Sequence, residues 1–266
     1  MPAKYLLPTV IFLAAFNPKA WADDTTDLAK KAQNPVENMI SVPLQNQFNF
    51  SYGPHQNTQF LLEAKPVVPF SLTPSLNLIT RTIIPLAHQP NLYVGRNDIN
   101  AIGDLNPSFY FSPANPGKVI WGVGPSLMLP TASSKQAGSG KWSVGPTVVV
   151  LGMPGPWVIG ALAYNVWSFA GDPNRPNVNS FEFQYFINYN IANGWYVFTS
   201  PIITADWTAK SHDRWTLPWG MGGGHVFYIG KQAINMSLQA YANSSAPQET
   251  GANWTTYLTI SFLFPK

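Results

Sequence analysis

The chain has no cysteine, which excludes a disulfide framework, a thiolate nucleophile and a cysteine-ligated metal. It is also poor in charge. Asp, Glu, Lys and Arg make up 10 % of 266 residues, against about 25 % in soluble globular domains, so an ordinary solvated surface cannot be assembled from it. The formal charge is +3, yet Lys30-Lys31 is the only adjacent basic pair, and nucleic acid has no basic patch to bind. Long apolar runs are missing too. The longest, residues 6–16, is interrupted by Pro8 and Thr9 and is too short to span a bilayer permanently. No His-x-x-x-His or EF-hand-like spacing suggests a metal, and no cofactor motif stands out.

Aromatics are plentiful at 14 %, and they fall in a pattern. Residues 180–209 read SFEFQYFINYNIANGWYVFTSPIITADWTA. Phe181, Phe183, Tyr185, Ile187 and Tyr189 share one parity, while Glu182, Gln184, Asn188 and Asn190 share the other. A period of two is an extended strand with one apolar and one polar face. Ala192-Asn193-Gly194 supplies a turn, and a second alternating run follows. Each run is about 14 residues, longer than the 5–6 typical of soluble strands and long enough for a tilted membrane crossing. Near-zero mean hydropathy suits a barrel whose faces average out, not a helical bundle.

The same reading predicts an all-β, antiparallel transmembrane barrel of about twelve strands. They run over 42–53, 58–70, 74–85, 101–112, 118–130, 141–152, 156–169, 178–191, 194–208, 214–229, 232–243 and 253–264. An even count lets a single-chain bacterial barrel close. Connections mostly alternate in the expected way. Four of the six odd ones, at 86–100, 131–140, 170–177 and 243–252, are long, as extracellular loops are, while those at 54–57 and 210–213 are short; those at 71–73, 113–117, 153–155, 192–193 and 230–231 are tight, as periplasmic turns are. Pro66, Pro107, Pro125, Pro146, Pro201 and Pro218 fall inside these strands and remove ladder donors.

Residues 1–22 read as a secretory signal, with Ala20-Trp21-Ala22 at the cleavage site. Residues 23–41 form a periplasmic tail, or a short helix tucked into the barrel mouth: Asp23, Asp24 and Asp27 come early and Lys30 and Lys31 late, as the helix dipole favours, and Asn34-Pro35 ends it. Residues 42–266 form the barrel.

Six strand-interior charges share the polar parity: Glu63, Lys65, Arg81, Asp104, Glu182 and Asp206. A lipid-facing charge costs about 2–4 kcal/mol at mid-membrane, so all six are expected in the lumen. They form either a constriction that selects solutes or a salt-bridge network that fills the interior. No catalytic residues are assigned. His55, His88 and His212 lie in loops and His225 in a Gly-rich strand; Ser211-His212-Asp213 are neighbours in one turn, where side chains diverge.

Several stretches resemble a known group: NPVENMISVPLQNQFNF (34–50), NLITRTIIP (77–85), GDLNPSFYFSPANPGKVIWGVGP (103–125), GSGKWSVGP (138–146), NVWSFAGD (165–172) and the closing SFLFPK (261–266). The chain is similar to bacterial barrel proteins named "transporter" or, misleadingly, "neuromedin U", relatives of the phenol-degradation meta-pathway barrels. The resemblance implies an outer-membrane location in a Gram-negative bacterium and a transport role, and it supplies no catalytic residues. The expectation is a monomeric channel for passive passage of small molecules, hydrophobic or aromatic ones among them. Its partners would be outer-membrane lipid, small solutes and, during biogenesis, the barrel-assembly machinery. A non-conducting structural barrel and a barrel-embedded lipid hydrolase are the alternatives.

Overall fold

A computed structural model describes residues 22–91 and 97–265. Apart from Ala22, the expected signal segment lies outside the described residues. Helix α1 (Ala22–Ala32) comes first. Twelve antiparallel strands follow. These are β1 (Ile40–Tyr52), β2 (Asn57–Ala64 and Val67–Thr73), β3 (Leu76–Gln89), β4 (Ile99–Ile102 and Asn106–Pro113), β5 (Val119–Met128) and β6 (Lys141–Gly152). The rest are β7 (Trp157–Gly171), β8 (Asn179–Asn190), β9 (Trp195–Thr199 and Ile202–Asp206), β10 (Trp215–Thr216 and Pro218–Ile229), β11 (Gln232–Asn243) and β12 (Trp254–Phe264). Each pairs with its sequence neighbour. The last closes on the first, from Ile40 opposite Phe264 to Phe50 opposite Trp254, so the sheet has no free edge.

The strands extend further than expected at 86–100. Leu86 pairs with Ile102 and Gln89 with Ile99, so the ladder continues past the expected end of β3. Proline explains most of the interruptions. Pro66 and Pro201 fall between the halves of β2 and β9, and Pro218 begins the longer half of β10. Pro125 and Pro146 instead stay inside strands and face each other across β5 and β6. The ladder bonds they cannot donate are missing on their outer flanks, toward β4 and β7, as expected of a residue without an N–H.

Alternation sorts the side chains. Val148, Val150, Ile159, Ile187, Val197 and Leu238 are exposed on the outside, an apolar belt around the barrel. Aromatics rim both ends of it: Trp157 meets Tyr189 edge-on at 4.8 Å near the tight turns, and Trp207 meets Trp215 at 5.3 Å near the long loops. A closed sheet with an apolar belt between two aromatic girdles fits a bilayer. Among the described residues, no helix is long and apolar enough to cross a membrane.

The segment ahead of β1 lies inside the turn end of the barrel. Leu28, Ala29 and Met39 pack with Tyr196, Phe198, Val226, Ala233 and Leu263 on the β9–β12 wall. Val36 packs on the opposite wall with Ile79, Tyr110, Val149 and Phe186. Polar contacts pin it as well: Lys30 Nζ donates to Gly155 O at 2.8 Å, and the Gly194 amide donates to Thr26 Oγ1 at 3.3 Å.

Candidate functional site

Four of the six expected charges converge at mid-height in the lumen. Lys65 Nζ lies 2.7 Å from Glu63 Oε2, with the two side chains 9 % and 18 % exposed, and it also donates to Gln45 Oε1. Residues 63 and 65 point the same way because a strand repeats every two residues. Glu182 accepts a hydrogen bond from Tyr164 Oη at 2.9 Å. Lys65 and Arg81 both act on its carboxylate through space. Arg81 reaches this level because β3 sets it opposite Val67 and Ser108. Two cations and two carboxylates thus form a neutral belt.

The other two charges stand apart from that belt. Asp104 occupies the break between the halves of β4, where its carboxylate organises a loop. Oδ1 accepts from the Ala132 amide at 3.1 Å, and Oδ2 accepts from Ser139 N at 2.6 Å and Ser139 Oγ at 2.8 Å. Arg175 fastens the same loop by donating to Ser139 O at 3.1 Å. Asp206 ends β9 at the exposed rim, where its Oδ1 accepts from Thr208 N at 2.9 Å and Thr208 Oγ1 at 2.6 Å. Parity carries no information on depth along the barrel axis, and it does not continue through the break at Asp104, where Ile102 is exposed and Asn106 buried.

Above the belt lies a cavity of about 300 Å³ that includes Glu63, Lys65 and Glu182 in its lining. One side of it is a ladder of carboxamides that the sequence reading missed. Gln47 Nε2 donates to Asn49 Oδ1 at 3.0 Å, Asn49 Nδ2 donates to Gln59 Oε1 at 2.7 Å, and Gln59 Nε2 continues to Gln89 Oε1. Thr255 Oγ1 adds a bond to Asn49 Oδ1 at 2.8 Å, across the closure of the barrel. The signal was present as Gln45, Gln47 and Asn49 alternating with Phe48 and Phe50. Leu61, Ile83, Ile202 and Pro218 also line it, so the vestibule has polar and apolar sides. Below the belt, the apolar clusters around residues 25–39 occupy the lumen.

The wall beside the vestibule is broken. β9 and β10 pair at Trp195–Phe198 with His225–Gly222, and again at Thr204 with Thr216 and Ala205 with Trp215. The register is the same on both sides, yet residues 199–203 and 217–221 have no ladder partners across the gap. Pro201 and Pro218 lie within these runs and can donate nothing. Side chains bridge the gap instead. Thr199 Oγ1 donates across it to Gly220 O at 2.8 Å, and the Ser200 amide donates past β10 to Tyr241 Oη on β11 at 2.8 Å; from the β8 side, Gln184 Nε2 donates to Ser200 Oγ at 2.8 Å. Inside the seam, Ile202, Thr204, Thr216 and Pro218 line the vestibule. Outside it, Ile187, Val197, Thr199 and Met221 line an apolar groove of about 410 Å³.

The histidines are dispersed. His55 is exposed in a turn. His88 Nδ1 is 2.9 Å from Asn100 Oδ1, and His225 stacks on Trp195 at 4.1 Å. His212 Nε2 is 3.0 Å from Asp213 Oδ2. Among the described residues, no group of three or more His, Asp or Glu is placed to hold a metal.

This architecture has counterparts among solved structures. The chain is similar to an outer membrane channel from Pseudomonas putida F1, at a TM-score of 0.65 and 16 % identity over 85 % of this chain and 96 % of that one. It is also similar to the NanC porin, at a TM-score of 0.50 and 10 % identity over 85 % and 100 % of the two chains. No family model and no curated protein matches the sequence. The fold is that of bacterial outer-membrane barrels, and the apolar belt is the surface such a barrel turns to lipid.

Proposed function

We propose that this protein is an outer-membrane channel for small amphipathic or hydrophobic molecules, which enter the vestibule from the loop end and leave through the β9–β10 seam. The observation that carries this reading is that the vestibule and the lipid-side groove lie on the two faces of one stretch of wall without backbone ladder bonds. A solute going straight down the axis must displace residues 25–39 and the apolar contacts they make. One going sideways must displace two side-chain hydrogen bonds that span the seam. The neutral belt would hold a polar head while the apolar side of the vestibule receives the rest.

Cross-linking in proteoliposomes tests this, and the absence of native cysteine keeps the chemistry clean. Ile203→Cys with Leu217→Cys staples the seam; Gln33→Cys with Asn190→Cys staples the N-terminal segment. Uptake of a small aromatic solute is expected to stop with the first staple and persist with the second. The reverse result would move the route to the barrel axis. Uptake no faster than in empty liposomes, from protein shown to be folded, would remove the channel reading in favour of a structural barrel.

A further inference from the structure

Arg214 carries a guanidinium that the fold leaves short of acceptors. It lies at the loop end, beside the start of β10. Its Nε is buried without a hydrogen-bond partner, and Nη2 reaches only Ala209 O, at 3.4 Å. Its Cζ stands 5.8 Å from the centre of the Trp207 ring, a contact that attracts the cation but does not satisfy an N–H. The carboxylates nearby in sequence are engaged elsewhere. Asp213 accepts from the Gln248 amide at 2.9 Å and pairs with His212 at 3.0 Å, and Asp206 is held by Thr208. Among the described residues, neither Arg214 nor Lys210 has an ion pair.

The surroundings identify what such a cation meets. Trp207, Trp215 and Phe181 form one aromatic cluster on the outer wall, with ring separations of 5.3 Å, 6.1 Å and 6.5 Å. Trp207 Nε1 donates to Asn165 Oδ1 at 2.8 Å, which fixes the ring under the guanidinium. Clustered Trp on the lipid-facing wall marks the membrane–water interface. A guanidinium just beyond it lies at the depth of lipid headgroups. The loop end of an outer-membrane barrel faces the outer leaflet, which is built of phosphorylated glycolipid. Arginine's planar fork suits a phosphate, which can reach Nη1, a group not among the buried unpartnered atoms.

We propose that Arg214, seated on Trp207 with Lys210 four residues before it in the same connection, binds a phosphate of an outer-leaflet glycolipid of the lipid A type. The site lies outside the lumen, so it would hold a structural lipid against the wall where β8, β9 and β10 meet.

Native mass spectrometry of the refolded protein, titrated with diphosphoryl lipid A and with the same lipid stripped of phosphate, tests it. Wild type is expected to hold the phosphorylated lipid about tenfold more tightly than Arg214→Gln, with Arg214→Lys between them. The stripped lipid should not distinguish wild type from Arg214→Gln. Equal affinity of wild type and Arg214→Gln for diphosphoryl lipid A would overturn the proposal. So would displacement of the lipid by millimolar inorganic phosphate, which would make this a bare anion site. Heat-modifiable gel mobility checks that each variant is folded; if Arg214→Gln fails, Arg214→Lys and Lys210→Gln carry the comparison.

Discussion

Gln33 and Asn190 clasp each other by both ends of their carboxamides: Gln33 Nε2 donates to Asn190 Oδ1 at 2.9 Å, and Asn190 Nδ2 donates to Gln33 Oε1 at 3.1 Å. Asn190 Nδ2 also donates to Pro156 O at 3.0 Å. One side chain at the end of β8 therefore ties the N-terminal segment to the barrel. Asn190→Leu removes the clasp and leaves the Gln33 amide unmatched, at a cost of about 1–3 kcal/mol. Cleavage by trypsin after Lys30 or Lys31, read by mass spectrometry, should then be about tenfold faster or more. An unchanged rate would mean that the apolar contacts of Leu28 and Val36 hold the segment alone.

The belt makes a different prediction, because its charges are largely out of water. Lys65→Met leaves Glu63 without its partner at 2.7 Å, and losing one side of a buried pair costs about 3–5 kcal/mol. Combining Lys65→Met with Glu63→Gln removes both charges and should recover most of that loss. Urea unfolding from lipid vesicles measures the cycle. If the single variant is as stable as wild type, the pair is effectively solvated and the belt lies in water.

Asp104 should affect a loop and not the barrel. Its carboxylate accepts bonds from Ala132 and Ser139, so Asp104→Ala releases the connection that contains Lys135. Tryptic cleavage after Lys135 is expected to appear while the melting temperature moves by only a few degrees. A large fall in melting temperature would show that the carboxylate supports β4 itself.

Two glycines mark where strands approach too closely for any other residue. A Cβ on Gly145 would lie 1.7 Å from Asn165 O, and one on Gly124 1.9 Å from Phe109 O. Both obstacles are backbone atoms of the neighbouring strand, so Gly145→Ala and Gly124→Ala must push strands apart. Each should cost at least about 1–3 kcal/mol, seen as a lower urea midpoint. Gly117→Ala, with nothing within 4 Å, is the control and should stay within about 0.5 kcal/mol.

Much of the architecture was legible because a barrel strand states its face at every second residue. Phe181 and Glu182 differ by one position and lie on opposite sides of the wall, and that alternation located all twelve strands. The tight turns were equally plain, since Asn193 at φ 61° needs the left-handed region that Asn tolerates. What alternation does not encode is height. Glu63 and Asp104 both read as inward strand residues, yet one lies in the belt and the other in a break that organises a loop. The consequence of proline was also only half visible. Pro201 and Pro218 read as defects in two separate strands; that they lie on facing edges, and so open one seam, depends on the register between β9 and β10.

Closure sets the order in which this molecule can assemble. Every ladder but one joins neighbours in sequence, so hairpins can add one after another, each closing a short loop at small entropic cost. The exception joins β1 to β12, the two ends of the barrel sequence, and its loop is nearly the whole chain. That ladder must form late. The segment that carries Leu28 and Val36 is attached directly to β1 and ends up enclosed. Its apolar side chains touch both walls of the cylinder, so it helps to hold together strands that are far apart in the chain.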